Sequence, residues 1–391
     1  MYYIRRIDKI SPKGLDRFDT NEFKVSPDVA DPDGVLVRSG DLHSLQINPS
    51  LKAIARAGTG TNNVPVGRCT EAGIVVFNSP GANANSVREL VLASLVFSSR
   101  DIIEGVTWVR SLTSNVESKI EEKKSQFTGP EIRGKRIAVI GLGAIGVQVA
   151  NGAAALGMDV TGYDPFISVE SAWGLSRDVR RAARIEPLIS AADFVTLHLP
   201  LTDRTTGFFD AEKFRRLKPG VRILNFARGG LVETKALLEA IASGVVARYV
   251  TDFPDDALVG NRSVIPVPHL GASTPEAEDN CAIMAADQTI EYLTAGNIRN
   301  SINFPDCELT MTGTKRIVIA NRNIPNMVSQ ITAVLANKEI NISDMLNRHL
   351  GDHAYNIIDV DGPIPDATIG ALQSIEGVLM ARLIDNGAGG T

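Results

Sequence analysis

Cysteine is scarce: the 391 residues hold only Cys69, Cys281 and Cys307. Three thiols so far apart exclude a disulfide framework and a zinc knuckle, and they suit a reducing, cytoplasmic compartment. A strong charge of one sign is also missing. Forty Lys and Arg against forty-five Asp and Glu leave a net charge of -5, which argues against a nucleic-acid protein. The opening MYYIRRIDKI lacks the apolar core of a signal peptide. Ile137 to Met158 carries no charge and is long enough to span a bilayer. Five glycines, Gln148 and Asn151 interrupt it, however, and its pattern changes from strand to turn to helix, so no membrane span is expected. There is no G-x-S-x-G elbow and no H-E-x-x-H helix, and no metal site is expected. Short tandem repeats are absent, and the GAGG tail is the only low-complexity tract.

What remains is an ordinary globular composition, 44% apolar and 22% charged, long enough for two or three domains. The first ninety residues alternate short apolar runs with polar ends: GVLVRS (34–39), LKAIARAGTG (51–60) and GIVVFNSPGA (73–82). These read as strands of an α/β sheet. Residues 86–110 read as one helix. The charged run 117–127 reads as a solvated helix end and linker. From Lys135 the rhythm is strand, turn, helix. The strands are 136–140, 159–164, 193–200, 221–230, 247–253 and 263–272, with a helix over 233–244 and another from Pro275 to about Ala295. Apolar runs without alternation, joined by helices, imply a parallel sheet covered on both faces. The last seventy-five residues read β-α-β-β-α-β, a ferredoxin-like unit, after a linker at 306–313.

Gly141-Leu-Gly143-Ala-Ile-Gly146 follows the strand RIAVI directly and opens a helix, the context that a dinucleotide fingerprint requires. Gly141 allows the tight turn, Gly143 admits a pyrophosphate, and Gly146 allows close packing. The helix N-terminus supplies free N–H groups. Asp164 ends the next strand, where a carboxylate accepts from a ribose diol and repels a 2′-phosphate. NAD is therefore expected rather than NADP. The stretch Gly129–Arg136 imitates a P-loop, but Arg136 stands where Ser or Thr must bind magnesium, and the segment precedes a strand instead of following one.

Ligands of such sheets sit beyond the carboxyl ends of the strands. His198, Arg228, Asp252 (with Asp255 and Asp256 close behind) and His269 each follow a different strand. The set suits oxidation of a 2-hydroxy acid. Arg offers a fixed fork to the carboxylate, His takes the C2 hydroxyl proton near neutrality, and a carboxylate beside the His favours its charged form. His198 is read as structural.

At these residues the chain resembles the D-isomer-specific 2-hydroxyacid dehydrogenases. The segments VRS (37–39), ARAGTGTNN (55–63), NSPGANANSVRE (78–89), GLGAIG, GYDP (162–165), NFARGG (225–230) and PHLGAST (268–274) match in order. The resemblance implies two doubly wound, Rossmann-like parallel-sheet domains, the first split around the second, with a C-terminal ferredoxin-like ACT domain. The expected boundaries are 1–98 with 275–305 for the substrate domain, 99–274 for the NAD domain and 314–391 for the ACT domain. By resemblance Arg228 binds the substrate carboxylate and His269 is the acid/base. The family places a Glu five residues after the strand-end Asp. Counted from Asp252, that position is Ala257, so Asp256 is taken as the acid and Asp255 as its alternate.

The NAD contacts carry over to Thr59, Gly141, Gly143, Ala144, Ile145, Gly146, Asp164, Leu199, Pro200, Phe226, Ala227, Arg228, Asp252, His269, Gly271 and Ala272. Substrate contacts carry over to Arg38, Ser39, Arg56, Gly58 and Asn83. Lys124 stands where the phosphoglycerate-oxidising members of the family can carry an Arg. Arg38, Arg56 and Lys124 together imply a phosphorylated 2-hydroxy acid. The ACT resemblance implies an amino-acid effector such as serine near Asn321, Asn323 and Asn341. The dehydrogenase resemblance implies a homodimer through the cofactor domain, and pairing of dimers through the C-terminal modules would give a homotetramer. Two other readings are a reductase or dehydrogenase of glyoxylate or hydroxypyruvate, and a non-enzymatic NAD-sensing interaction protein.

Overall fold

The computed structural model describes residues 1–312 and 315–385. Gly313 and Thr314, where the expected linker meets the C-terminal module, and the GAGG tail lie outside the described residues. The chain divides into two units, Met1–Asn83 with Glu278–Thr391, and Ala84–Ala277. Among the described residues no helix is long and apolar enough to cross a membrane. The uncharged run 137–158 is instead a buried strand followed by the helix Ala144–Ala155.

The first unit contains strands β1 (Tyr2–Arg6), β2 (Phe23–Ser26), β3 (Gly34–Val37), β4 (Ala53–Arg56) and β5 (Val75–Phe77). They form one parallel sheet in the order β2-β1-β3-β4-β5, a doubly wound arrangement. The helix Pro275–Ala295 lays Cys281, Ala285, Tyr292 and Leu293 into a core shared with Ile4, Leu36, Phe77 and Phe304.

The second unit contains β6 (Arg136–Ile140), β7 (Asp159–Tyr163), β8 (Arg180–Arg181), β9 (Phe194–Leu197), β10 (Val221–Asn225), β11 (Val246–Thr251) and β12 (Val264–Pro266). Their order is β12-β11-β10-β9-β6-β7-β8, all parallel. The order reverses between β6 and β9, which marks the ligand crevice of a dinucleotide-binding sheet. The helix expected over 86–110 is two helices, Ala84–Ser99 and Ile102–Arg110. Arg222 Nε donates to the Ser98 carbonyl at 2.8 Å, and Arg248 holds the Asp101 carboxylate at 2.6 Å. These bonds anchor the break to the sheet. Strands expected to run to 230 and 272 stop at Asn225 and Pro266. The Asn225 amide bonds the backbone of Ala227 and Arg228, and Pro266 and Pro268 deprive the ladder of donors.

The remaining strands belong to the first unit: β13 (Lys315–Arg322), β14 (Asn341–Leu350), β15 (His353–Asp361) and β16 (Val378–Asp385). They form an antiparallel sheet, β14-β15-β13-β16, in the expected β-α-β-β-α-β order. Successive side chains of a strand point to opposite faces. Ile317, Ile319 and Ile358 therefore pack with Ile331 and Leu335 of the helix Met327–Ala336 and Leu372 of the helix Ala367–Gln373, while Val318, Ala320, Tyr355 and Ile357 join the core of the first sheet. Three side chains also bind the end of the Pro275–Ala295 helix. Arg382 donates to the Leu293 carbonyl at 2.9 Å, Arg316 to Ala295 at 2.8 Å and Tyr355 to Gly296 at 2.8 Å. These are carbonyls that a helix cannot satisfy from within. The Arg316 guanidinium is itself fully buried against Asp359 at 2.6 Å.

Candidate functional site

In the second unit the glycine turn after β6 has the geometry that a dinucleotide needs. Gly141 has φ +92°, and a side chain there would lie 2.5 Å from the His198 carbonyl oxygen. A Cβ on Gly143 would meet nothing within 4 Å, so the backbone is open to a ligand, whereas one on Gly146 would lie 1.9 Å from the Gly141 oxygen. Ala144 and Ile145 open the helix, whose N-terminus has no side-chain cap, leaving its N–H groups available. The Asp164 carboxylate accepts from Leu142 N–H and Phe166 N–H, each at 2.8 Å. It ties the turn to the loop after β7 and keeps lone pairs for a diol. Leu199 and Pro200 follow β9, and Phe226, buried, and Ala227 follow β10.

His198 Nε2 lies 3.0 Å from the Thr196 hydroxyl, and burial pushes its imidazole down to about 4. It stays neutral beneath the glycine turn, as the structural reading expects.

Arg228 is held by its backbone. Asn225, fully buried, donates to the Arg228 carbonyl at 2.9 Å and is itself held by the Tyr249 hydroxyl. Asp252 is 3% exposed, with one carboxylate oxygen 3.3 Å from Gly271 N–H and the other buried without a partner. Burial raises its pKa, opposed by that N–H and by the charges of His269 and Arg228. An unpaired buried acceptor calls for a donor, and a nicotinamide carboxamide provides one. The open Gly143, the uncapped helix and the orphaned Asp252 oxygen together fit NAD. The Gly271 carbonyl is fixed by Ser86 at 2.8 Å, and Ala272 follows.

His269 is exposed, and its ring lies 4.5 Å from that of Phe253. Of the two candidate acids, Asp255 is committed to its own turn. It accepts from the N–H groups of Ala257 and Leu258 and from the Thr234 hydroxyl. Asp256 is exposed and, among the described residues, forms no ion pair with His269.

In the first unit, Asp8 gathers the N–H groups of Arg38, Ser39 and Gly40 beyond β3. Asn63 donates to the Gly40 carbonyl at 2.8 Å and accepts from Arg56 Nε at 2.9 Å. Gly58 passes so close to Arg56 that a Cβ would lie 2.5 Å from the guanidinium. Thr59 Oγ1 and Asn83 Oδ1 are 3.3 Å apart. Arg38, Ser39, Arg56, Gly58, Thr59 and Asn83 thus share one loop cluster, with Arg38 paired to Glu278 at 2.5 Å.

Lys124 belongs to the second unit. It lies on an exposed helical arm and pairs with Glu121 at 2.5 Å. The effector candidates do not meet within the chain. Asn321 is buried, its amide bonded to Asn356 and to the Arg322 carbonyl. Asn323 reaches the Gly351 carbonyl before β15, and Asn341 reaches Asp361 at its far end. Nine residues of strand, about 25–30 Å, separate them. Asn63, Asn225, Thr251 and Phe253 were not singled out by the sequence. A buried polar residue at the end of an apolar strand is the signal that would have found Asn225 and Thr251.

Residues 92–271 match the family described as D-isomer specific 2-hydroxyacid dehydrogenase, NAD binding domain. Over 286 residues the chain is 36% identical to the D-3-phosphoglycerate dehydrogenase of Archaeoglobus fulgidus, covering 71% of this chain and 52% of that one. Over 305 residues it is 37% identical to the Mycobacterium tuberculosis protein of the same name, covering 76% and 55%. The chain therefore spans about half the length of the curated relatives it matches. A solved NAD+-bound 3-phosphoglycerate dehydrogenase of Entamoeba histolytica superimposes with a TM-score of 0.59 at 25% identity, covering 77% of this chain and 98% of that one.

Proposed function

From a chain whose residues 92–271 match the NAD-binding domain of the D-isomer-specific 2-hydroxyacid dehydrogenases, we propose NAD-dependent oxidation of D-3-phosphoglycerate to 3-phosphohydroxypyruvate. This is the first step of phosphorylated L-serine synthesis. The observation that carries the chemistry is the buried Asp252 carboxyl, which feels both His269 and Arg228. A base, a guanidinium fork and an acceptor for the cofactor amide belong to one strand-end group. Arg228 grips the carboxylate and C2 oxygen of the substrate in two hydrogen bonds. His269 takes the C2 hydroxyl proton, with Asp256, unlike Asp255 not held by its own loop, as the proposed partner acid. Bound NAD supplies the acceptor for the C2 hydride.

The phosphorylated substrate rests on Arg38, Arg56 and Lys124 and on the names of the relatives. Ile102, Ile103, Val106 and Val109 leave an apolar stripe exposed beside Lys124's arm, and a second copy covers it in the homodimer that the family leads us to expect. With Asn323 and Asn341 at opposite ends of β15, an effector such as serine would need two copies to complete its site, as would a tetramer paired through these modules. A cytoplasmic location suits three buried free thiols. The test is steady-state turnover with NAD over a panel of 2-hydroxy acids. Preference for 3-phosphoglycerate that weakens at high salt, while an unphosphorylated acid is less affected, supports the reading. Equal rates for phosphorylated and unphosphorylated acids would refute the substrate.

A further inference from the structure

Three loops converge on a side chain with no part in the chemistry so far. Phe253 follows β11, its N–H fixed by the buried Thr251 hydroxyl at 3.1 Å. Its ring centre lies 4.5 Å from that of His269, with the planes at 54°. The backbone of Gly229, next to Arg228, comes so close that a Cβ there would lie 3.2 Å from the Phe253 Cβ and 3.4 Å from its carbonyl oxygen. The loop that carries Arg228 therefore rests against Phe253, and His269 rests against its ring. Among the described residues no carboxylate lies within ion-pair distance of His269; the His–carboxylate pair within 4.0 Å is His43–Asp41.

We infer that Phe253 is a positioning residue for the acid/base, holding the His269 ring and setting its place relative to the Arg228 loop. This rests on the acid/base role proposed for His269. The ring contact limits how the imidazole can turn and so fixes where its nitrogens lie. The other charged groups at this point are Asp252, from the end of β11, and Arg228, from the loop after β10.

The test uses the full chain. The His269 ring protons are followed by NMR, their resonances assigned with His269→Asn, in the wild type, Phe253→Leu and Phe253→Tyr. Phe253→Leu is expected to shift and broaden those resonances and to lower kcat by about tenfold, with NAD affinity unchanged. Phe253→Tyr is expected to keep both near wild type. If Phe253→Leu does not fold, Phe253→Met serves in its place. Unmoved resonances with unchanged kcat, or a Tyr variant no better than Leu, overturn the inference. Moved resonances in a chain that oxidises none of the acids support the positioning role and remove the proposed activity instead.

Discussion

The two units hold their strand-end loops by different means. In the second, backbone and buried polar atoms do the holding: Asn225 for the Arg228 loop, Asp164 for the glycine turn, Gly271 N–H for Asp252. Little has to change there when a cofactor arrives. In the first, the charged ends of long side chains are held by other side chains, Arg38 by Glu278 and Arg56 by Asn63. A substrate anion that bound Arg38 and Arg56, as proposed, would compete with those partners. The second unit's loops are thus fixed largely through the backbone, and the first unit's through exchangeable side-chain pairs.

If that contrast is right, the largest loss comes from the second unit. His269→Ala is expected to lower kcat about 10²–10⁴-fold with NAD still bound, measured by steady-state kinetics and calorimetry. Loss of NAD binding as well would mean that His269 holds the loop together. Next in size are the cations. Arg56→Ala and Lys124→Ala should each raise KM for 3-phosphoglycerate about tenfold or more, the worth of a charge-assisted bond at about 1.5–3 kcal/mol. An unphosphorylated acid should be nearly indifferent. If both acids lose equally, the two residues are not phosphate ligands. Smaller still is Asn63→Ala, which removes the Asn63 hold on Arg56 Nε without removing Arg56. We expect KM to rise about threefold with kcat unchanged. A rise as large as that of Arg56→Ala would mean that Asn63 shapes the whole loop.

A different test is one of acidity. The folded chain holds His198 neutral down to about pH 4, whereas an unfolded chain protonates it near pH 6.5. Between those values the unfolded state binds the extra proton, so stability falls as pH falls, by at most about 1.4 kcal/mol per pH unit. Urea melts across pH 7 to 4 should show a shallower slope in His198→Asn. Identical slopes would place the acid sensitivity elsewhere.

Much of this site was readable because its chemistry sits at strand ends and strand ends have signatures. The strand RIAVI and the helix from Pro275 to Ala295 have their expected bounds. So does the C-terminal β-α-β-β-α-β order, because periods of 2 and 3.6 survive in local sequence. The break at Arg100–Asp101 was not readable: its anchors, Arg222 and Arg248, lie more than a hundred residues away. Phe253 was hidden for a related reason. An aromatic after a strand looks like core until the ring beside it is seen to belong to His269. Asp255 and Asp256 are adjacent and chemically alike, so only the hydrogen bonds of the loop tell which is committed.

The helix Pro275–Ala295 has its last carbonyls held by Arg316, Tyr355 and Arg382 from the C-terminal sheet, over a common apolar core. In amide hydrogen exchange, the final turns of a helix usually fray well before the rest of a protein opens. Here the amides near Tyr292 should exchange only when the C-terminal sheet opens with them, and the two should lose protection at one denaturant concentration. Arg382→Ala removes one of these holds, so protection near Tyr292 should fall relative to that of β13.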